Sequence, residues 1–377
     1  MEVTLTDDQE FFQETTKRFL ATECPLTTVR ALASSDAGFE ASYWRQGAEL
    51  GWTSLLVPED LGGGSISGRG VVDLTIVADA FGGHTAPGPL VPTNVVAATI
   101  ARSGTDGQRD AVLAPVIAGD LVAAWCGAES VTVGGAPSVT AVADGAGFTL
   151  SGTAGPVEAG AQATQLLVTA QGPDGPVQVL VPVDTAGLTV EPLQSVDLVR
   201  RFARIRFADV AVPASARVGD AATTAGDVER QLQLALVMQT AEMVGAAQWA
   251  FDVTVEWAFD RYSFGRPLAS YQELKHRFAD MKTWLEASHA LAAALAREVQ
   301  DDRSSAVETT SAAKAYIGQY LAELMQDCVQ MHGGIGLTSD HDLHLFLRRV
   351  VSDRSTYGTP ADHRQRIAAL HADLPAA

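Results

Sequence analysis

The stretch Arg261-Tyr262-Ser263-Phe264-Gly265-Arg266-Pro267-Leu268-Ala269-Ser270-Tyr271-Gln272 is a short interruption between two long segments of helical period. Gly265 frees the backbone at a turn, and Pro267 stiffens the strand end beyond it. On the N-terminal side the helical period runs from about Asp227 to Phe259. On the other side Ser270-Tyr271-Gln272-Glu273 matches the Ser-x-x-Glu capping box, so a helix is predicted from Tyr271 to about Asp301. A third segment, Ser305 to Met331, completes a set of long helices with short connections, the pattern of an antiparallel bundle.

Upstream the texture changes twice. Between about Leu121 and Gly219, short runs such as Gln165 to Ala170, Val177 to Val183 and Arg204 to Phe207 alternate with Gly, Pro and Asp, which predicts a compact β domain. Before it the chain reads mostly as helices. Thr6 followed by Asp7 and Asp8 is a helix start, with Phe11, Phe12, Phe19 and Leu20 as the apolar face. A further helix is predicted from about Val71 to Phe81, stopped by Gly82-Gly83. Pro87, Pro89 and Pro92 then mark a loop before a helix at about Val95 to Arg102. The expected class is α+β, with helices over 1–120, a β domain over 121–225 and a helical bundle over 226–377.

Composition narrows the function. A chain of 377 residues fits two or three packed units. Its formal charge of −19 weighs against a phosphate backbone as partner, so no nucleic acid is expected. A phosphate-bearing ligand must be met by a few local arginines and backbone donors. No apolar run reaches the roughly 18 residues of a membrane span, and the most apolar stretch, Leu232 to Val253, is interrupted by Glu242. Met1-Glu2-Val3-Thr4 lacks the basic start of a signal peptide, so a cytoplasmic location is expected. Cys24, Cys126 and Cys328 are too scattered for a disulfide framework or a zinc site. His332, His341 and His344 cluster without an acidic ligand set, and no metal is expected.

Three patterns in order resemble the acyl-CoA dehydrogenase family. They are Gly51-Trp52-Thr53-Ser54-Leu55-Leu56-Val57-Pro58-Glu59 with the glycines after it, then the Arg261–Leu268 stretch with Gln272 and Ala279-Asp280-Met281, then Gln330-Met331-His332-Gly333-Gly334-Ile335-Gly336 leading to His341-Asp342-Leu343-His344. The resemblance spans nearly the whole chain. It implies an N-terminal helical domain, a β-barrel-like middle domain and a C-terminal four-helix bundle, with FAD as cofactor and an acyl-CoA as substrate. It further implies that Arg261, Phe264, Gln272, Gln330, Gly333 and Gly334 contact the ADP part of an FAD held mainly by a neighbouring subunit. The physics agrees: Arg261 offers a fork of donors to a pyrophosphate just before a helix N-terminus.

The half of the site that would hold the flavin ring departs from the family. A Thr-Glu-Pro loop ending in Gly-Ser-Asp is replaced by Gly127-Ala128-Glu129-Ser130-Val131-Thr132-Val133-Gly134-Gly135. In place of Gly-x-Lys-x-Trp-x-Thr stands Gly152-Thr153-Ala154-Gly155-Pro156-Val157-Glu158, so Pro156 falls at the aromatic and Glu158 at the threonine. A carboxylate there opposes the negative charge of a reduced flavin. The family's catalytic glutamate maps to Tyr357 in Thr356-Tyr357-Gly358-Thr359, and its other location maps to Ala235. Glu242, seven positions on and thus on the same helical face, is the one remaining candidate base. It equally fits an internal ion pair with an arginine of the bundle. Arg200, Arg201, Arg204 and Arg206 either meet CoA phosphates or form the wet face of a strand.

The resemblance therefore implies an accessory subunit of an actinobacterial α2β2 enzyme acting on CoA thioesters of steroid side chains. Two alternatives stand beside it: a self-sufficient homotetrameric dehydrogenase with Glu242 as base, and a non-catalytic scaffold of the same fold.

Overall fold

The computed structural model describes residues 5–127 and 136–372. Six helices come first: α1 (Asp7–Glu23), α2 (Leu26–Leu32), α3 (Ala41–Glu49), α4 (Gly70–His84), α5 (Leu90–Ser103) and α6 (Asp106–Ile117). Thr6 caps α1 in a full capping box with Gln9, so the predicted start holds. A second box, Thr105 with Gln108, starts α6.

The middle of the chain forms β1 (Ala123–Cys126), β2 (Val139–Ala143), β3 (Gly147–Glu158), β4 (Gln165–Gly172), β5 (Gly175–Pro182), β6 (Leu188–Leu193), β7 (Phe202–Pro213) and β8 (Arg217–Val218). They make one sheet in the order β6-β7-β3-β2-β4-β5-β8, with β1 beside β4. The sheet buries its own apolar core around Leu150, Leu166, Val168, Val179 and Ile205. Arg204 and Arg206 are exposed between buried Ala203, Ile205 and Phe207, the wet face that alternation predicted. Pro156 has no N–H to give the ladder, and β3 shifts register against β7 between Ala154 and Val157.

The rest is helical: α7 (Thr224–Asp260), the hairpin strands β9 (Tyr262–Ser263) and β10 (Arg266–Pro267), α8 (Gln272–Gln300), α9 (Ala306–His332), α10 (Leu343–Ser355) and α11 (Pro360–Leu370). Helix α7 is buried almost throughout its middle, which accounts for its long apolar run.

Three local expectations are corrected. Gly82 and Gly83 do not end a helix; they lie inside α4, where it crosses α7 backbone to backbone. A Cβ on Gly82 would come 1.9 Å from the Glu242 carbonyl, and one on Gly245 would come 2.0 Å from the Asp79 carbonyl. The glycines are there to let the two helices touch. Ser270 makes no capping box either: its hydroxyl donates to the Pro267 carbonyl at 2.7 Å, and Tyr271 takes the cap position of α8 without a side-chain bond. The loop placed around Pro92 is also shorter than expected, because α5 begins at Leu90. Among the described residues no helix is long and apolar enough to cross a membrane.

Candidate functional site

At the far end of α7 the chain turns through the β9–β10 hairpin. Phe264 and Gly265 both adopt left-handed backbone, at φ 48° and 80°, as a tight hairpin turn demands. The hairpin is braced from behind. Arg266 lies 3.8 Å over the Tyr271 ring, and the Tyr271 hydroxyl donates to the Ser263 carbonyl at 2.7 Å. The Trp257 indole donates to the Met331 carbonyl at 3.2 Å and stacks on His332 at 5.1 Å. These contacts join the end of α7 to the end of α9, bringing the Arg261 and Gln330 motifs alongside each other.

Nothing in the described chain covers that surface. Arg261, Phe264, Gln272, Gln330, Gly333 and Gly334 are all exposed, and Phe264 is 98% accessible. Arg261 meets no carboxylate among the described residues; its guanidinium stands 6.0 Å from the Trp257 ring. Phe259, Tyr262, Ile335 and Leu337 add exposed apolar surface at the same end. A bulky residue in left-handed backbone with its ring in solvent stores cost without a return inside this chain.

The second region lies where the sheet meets the bundle, at the positions that the family uses for flavin ring and base. Residues 128–135, the replaced loop, lie outside the described residues. Among the described residues this junction holds a buried charge cluster. Arg200, in the loop between β6 and β7, uses all three guanidinium nitrogens. Nε is 3.3 Å from Glu158 at the end of β3, Nη2 is 2.5 Å from Glu242 in α7, and Nη1 pairs with Asp353 in α10. Arg349, one turn before Asp353, pairs with Asp197 and with the other oxygen of Glu242. It also donates to the Thr85 and Ala86 carbonyls at the end of α4. Lys314 of α9 donates to Gln239, to the Asp353 carbonyl and, at 2.9 Å, to the Thr356 carbonyl.

The cluster sets the chemistry of each candidate. Glu242 has both oxygens taken by guanidinium groups. Of the two readings the sequence left open for it, the geometry shows the ion pair, with one bundle arginine and one from the sheet side. Arg200 is buried, so the reading in which it meets CoA phosphates is not what the structure places there. Glu158 turns inward; burial raises its pKa against the pull of Arg200. Tyr357 donates to Glu158 at 3.0 Å and stacks on Trp125 at 5.7 Å. Burial, followed by the Glu158 charge, pushes the phenol pKa well above its ordinary value, which removes it as a base near neutrality. Asp197 is the opposite case: burial works against its charge, but Arg349 and Arg200 outweigh it and hold the carboxyl at about 2. Ala235 is buried and has no titratable group. One cavity between Glu158 and Arg200 holds about 10 Å³, room for one water at most, while a second, of about 630 Å³, is lined by Asp197, Arg200, Arg201 and Phe202.

At this junction Glu158, Arg200, Glu242 and Tyr357 are engaged with one another, while the six residues at the end of the bundle are exposed. The cluster escaped sequence reasoning because Arg200 reaches Glu242 and Asp353 across 42 and 153 positions; only the acid in an apolar run, Glu242, pointed to it.

Models of the acyl-CoA dehydrogenase N-terminal and C-terminal domains match residues 6–120 and 225–370. Acyl-CoA dehydrogenase IpdE2 of Mycolicibacterium smegmatis is 26% identical over 97% of this chain and 99% of its own length. Acyl-CoA dehydrogenase FadE34 of Mycobacterium tuberculosis is 31% identical over 98% of this chain, which spans 49% of that protein. Among solved structures, the ChsE4-ChsE5 complex from Mycobacterium tuberculosis matches with a TM-score of 0.89 at 25% identity, covering 100% of both chains. The Tcur3481-Tcur3483 steroid acyl-CoA dehydrogenase matches at 0.87 and 28%, covering 98% of this chain and 99% of that one. The chain belongs to the acyl-CoA dehydrogenase family, whose FAD-dependent members act on the CH–CH group of acyl-CoA thioesters.

Proposed function

We propose that this chain is the accessory subunit of a heteromeric α2β2 acyl-CoA dehydrogenase, lending the ADP-side half of the FAD site to a catalytic partner. The observation that carries the reading is the inequality of the two half-sites. Arg261, Phe264, Gln272, Gln330, Gly333 and Gly334 stand bare at one end, while Glu158, Arg200, Glu242 and Tyr357 fill the other with satisfied ion pairs. A homotetramer of such chains has every donated half and no receiving half. The partner then supplies flavin ring and base, and Glu242 is a structural residue rather than a catalytic one.

Relatives support the assembly and the substrate class: one structural neighbour is a complex of two named chains, and another is called a steroid enzyme. The proposed substrate is accordingly a CoA thioester of a steroid side chain, α,β-desaturated in the partner's site, in the cytoplasm. In this chain's own residues the work is positional. Arg261 presents a planar fork to a pyrophosphate, and the exposed backbone at Gly333 and Gly334 lets the ligand come close.

The test is the FAD content of the chain expressed alone. The expected outcome is a colourless protein, or one that loses flavin on gel filtration. A stable complement of one FAD per chain in a homo-oligomer overturns the proposal and reinstates the self-sufficient reading.

A further inference from the structure

The buried cluster does not balance its own charge. It gathers four carboxylates, Glu158, Asp197, Glu242 and Asp353, against three cations, Arg200, Arg349 and Lys314, and all seven side chains are buried. Lys314 places three oxygens around its Nζ, one for each N–H of an ammonium, so its hydrogen bonding calls for the charged form. The arginines are charged in any case. One negative charge is left over, and an isolated buried charge is a cost that a protein avoids by taking up a proton.

The hydrogen bonds say which group takes it. Both oxygens of Glu242 face guanidinium nitrogens. Asp197 accepts from the Val199 and Arg200 amides on one oxygen and from Arg349 on the other. Glu158 has the Arg200 guanidinium 3.3 Å from one oxygen, an ion pair, and the Tyr357 hydroxyl donating to the other. Asp353 alone among the four has a buried oxygen with neither a cation nor a donor against it among the described residues: Oδ1 meets Arg200, and Oδ2 has no partner.

We propose that Asp353 is stored in the folded chain as the neutral acid, its proton cancelling the surplus negative charge where sheet and bundle meet. Folding of this junction then takes up one proton that the unfolded chain releases.

The surroundings agree. Burial raises Asp353 from the ordinary carboxyl range to about 8, against Arg200, Arg349 and Lys314 and with Glu242 acting in the same direction as burial. The groups facing it are Arg349 on α10, Arg200 and Asp197 on the β6–β7 loop, and Glu158 on β3, while the exposed Arg354 acts on Lys314. Glu242 and Gln239 on α7, Lys314 on α9, Tyr357 on the next turn and His363 on α11 complete the set. Burial lowers Lys314 to about 7 and His363 to about 4, so both oppose Asp353 in their pH dependence.

The raised pKa sets the sign. Stability contributed by Asp353 is complete below its unfolded value of 3.8, is lost as pH rises from there, and is gone above about 8. Lys314 and His363 act with the opposite slope, so the wild-type curve alone does not isolate the acid, whereas its difference from a variant does. Asp353→Asn, which has the shape of the neutral acid, is the variant of choice.

Thermal unfolding of the full chain and of Asp353→Asn is compared from about pH 5 to about pH 9, together with the infrared C=O stretch of protonated carboxylic acid. The expected result has three parts. Asp353→Asn melts at or above the wild type at about pH 7.5, the gap between them widens with pH up to about 8, and an acid band seen in the wild type near neutrality is missing from the variant. A variant that fails to fold at neutral pH overturns the proposal, because the charge was then needed. Parallel curves overturn it as well, as does a wild type without an acid band.

Discussion

Helix α7 carries two regions that treat charge in opposite ways. Its middle holds Glu242 between Arg200 and Arg349, with every guanidinium nitrogen of Arg200 assigned to a carboxylate of the same chain. Its end leads to Arg261, which meets no carboxylate among the described residues, and to a hairpin whose Phe264 ring lies in solvent. The middle is closed within the chain, and the end is left exposed. Exposed apolar surface grouped around an unpaired arginine is what a partner interface leaves when the partner is away. A buried ion cluster ties the sheet to the helices instead.

The contrast can be broken most forcefully at Arg200. Arg200→Ala takes the only cation from Glu158, one of two from Glu242 and the donor from Asp353, and should cost roughly 3–5 kcal/mol, enough to lower the melting temperature severely or abolish folding. Arg261→Ala, measured the same way, should change stability by no more than about 0.5 kcal/mol. Equal losses at the two arginines would erase the distinction between a closed region and an open one.

Arg261 is next, read in the complex. Arg261→Ala should weaken FAD retention by about 1.5–3 kcal/mol, and Arg261→Lys should restore only part, since the forked geometry is lost. Unchanged flavin occupancy in the alanine variant would make the motif a structural turn.

A smaller effect is expected at Phe264. Phe264→Ala should leave the melting temperature of the isolated chain alone while loosening the complex by about 2 kcal/mol, as truncating a buried interface aromatic does. Association measured by titration against the partner decides it.

Glu242→Gln sharpens the comparison with the smallest effect on chemistry. In a complex shown to be folded and flavin-loaded, turnover should stay within about tenfold, some 1.4 kcal/mol. A loss approaching ~10³ would make Glu242 the base and this chain the catalytic one.

The open region was legible in the sequence and the closed one was not, for a physical reason. The hairpin is local: Arg261, Phe264, Gly265 and Pro267 sit within seven positions, and turn chemistry is written in adjacent residues. Helix α7 was legible too, because burial of its middle imposes an apolar run. The cluster depends on contacts between Arg200 and Asp353, 153 positions apart, and between Arg349 and Asp197, 152 apart. Nothing local marks such pairs. Gly82 was misread for the same reason: a glycine that admits a crossing helix looks, in sequence, like one that ends its own.

The central claim is that this chain gives half a flavin site and keeps none. The direct measurement is the molar ratio of FAD to protein in the purified complex with its partner, by absorbance after denaturation. The account predicts one FAD for each pair of unlike chains. Two per pair, with flavin in this chain's own junction, would contradict it.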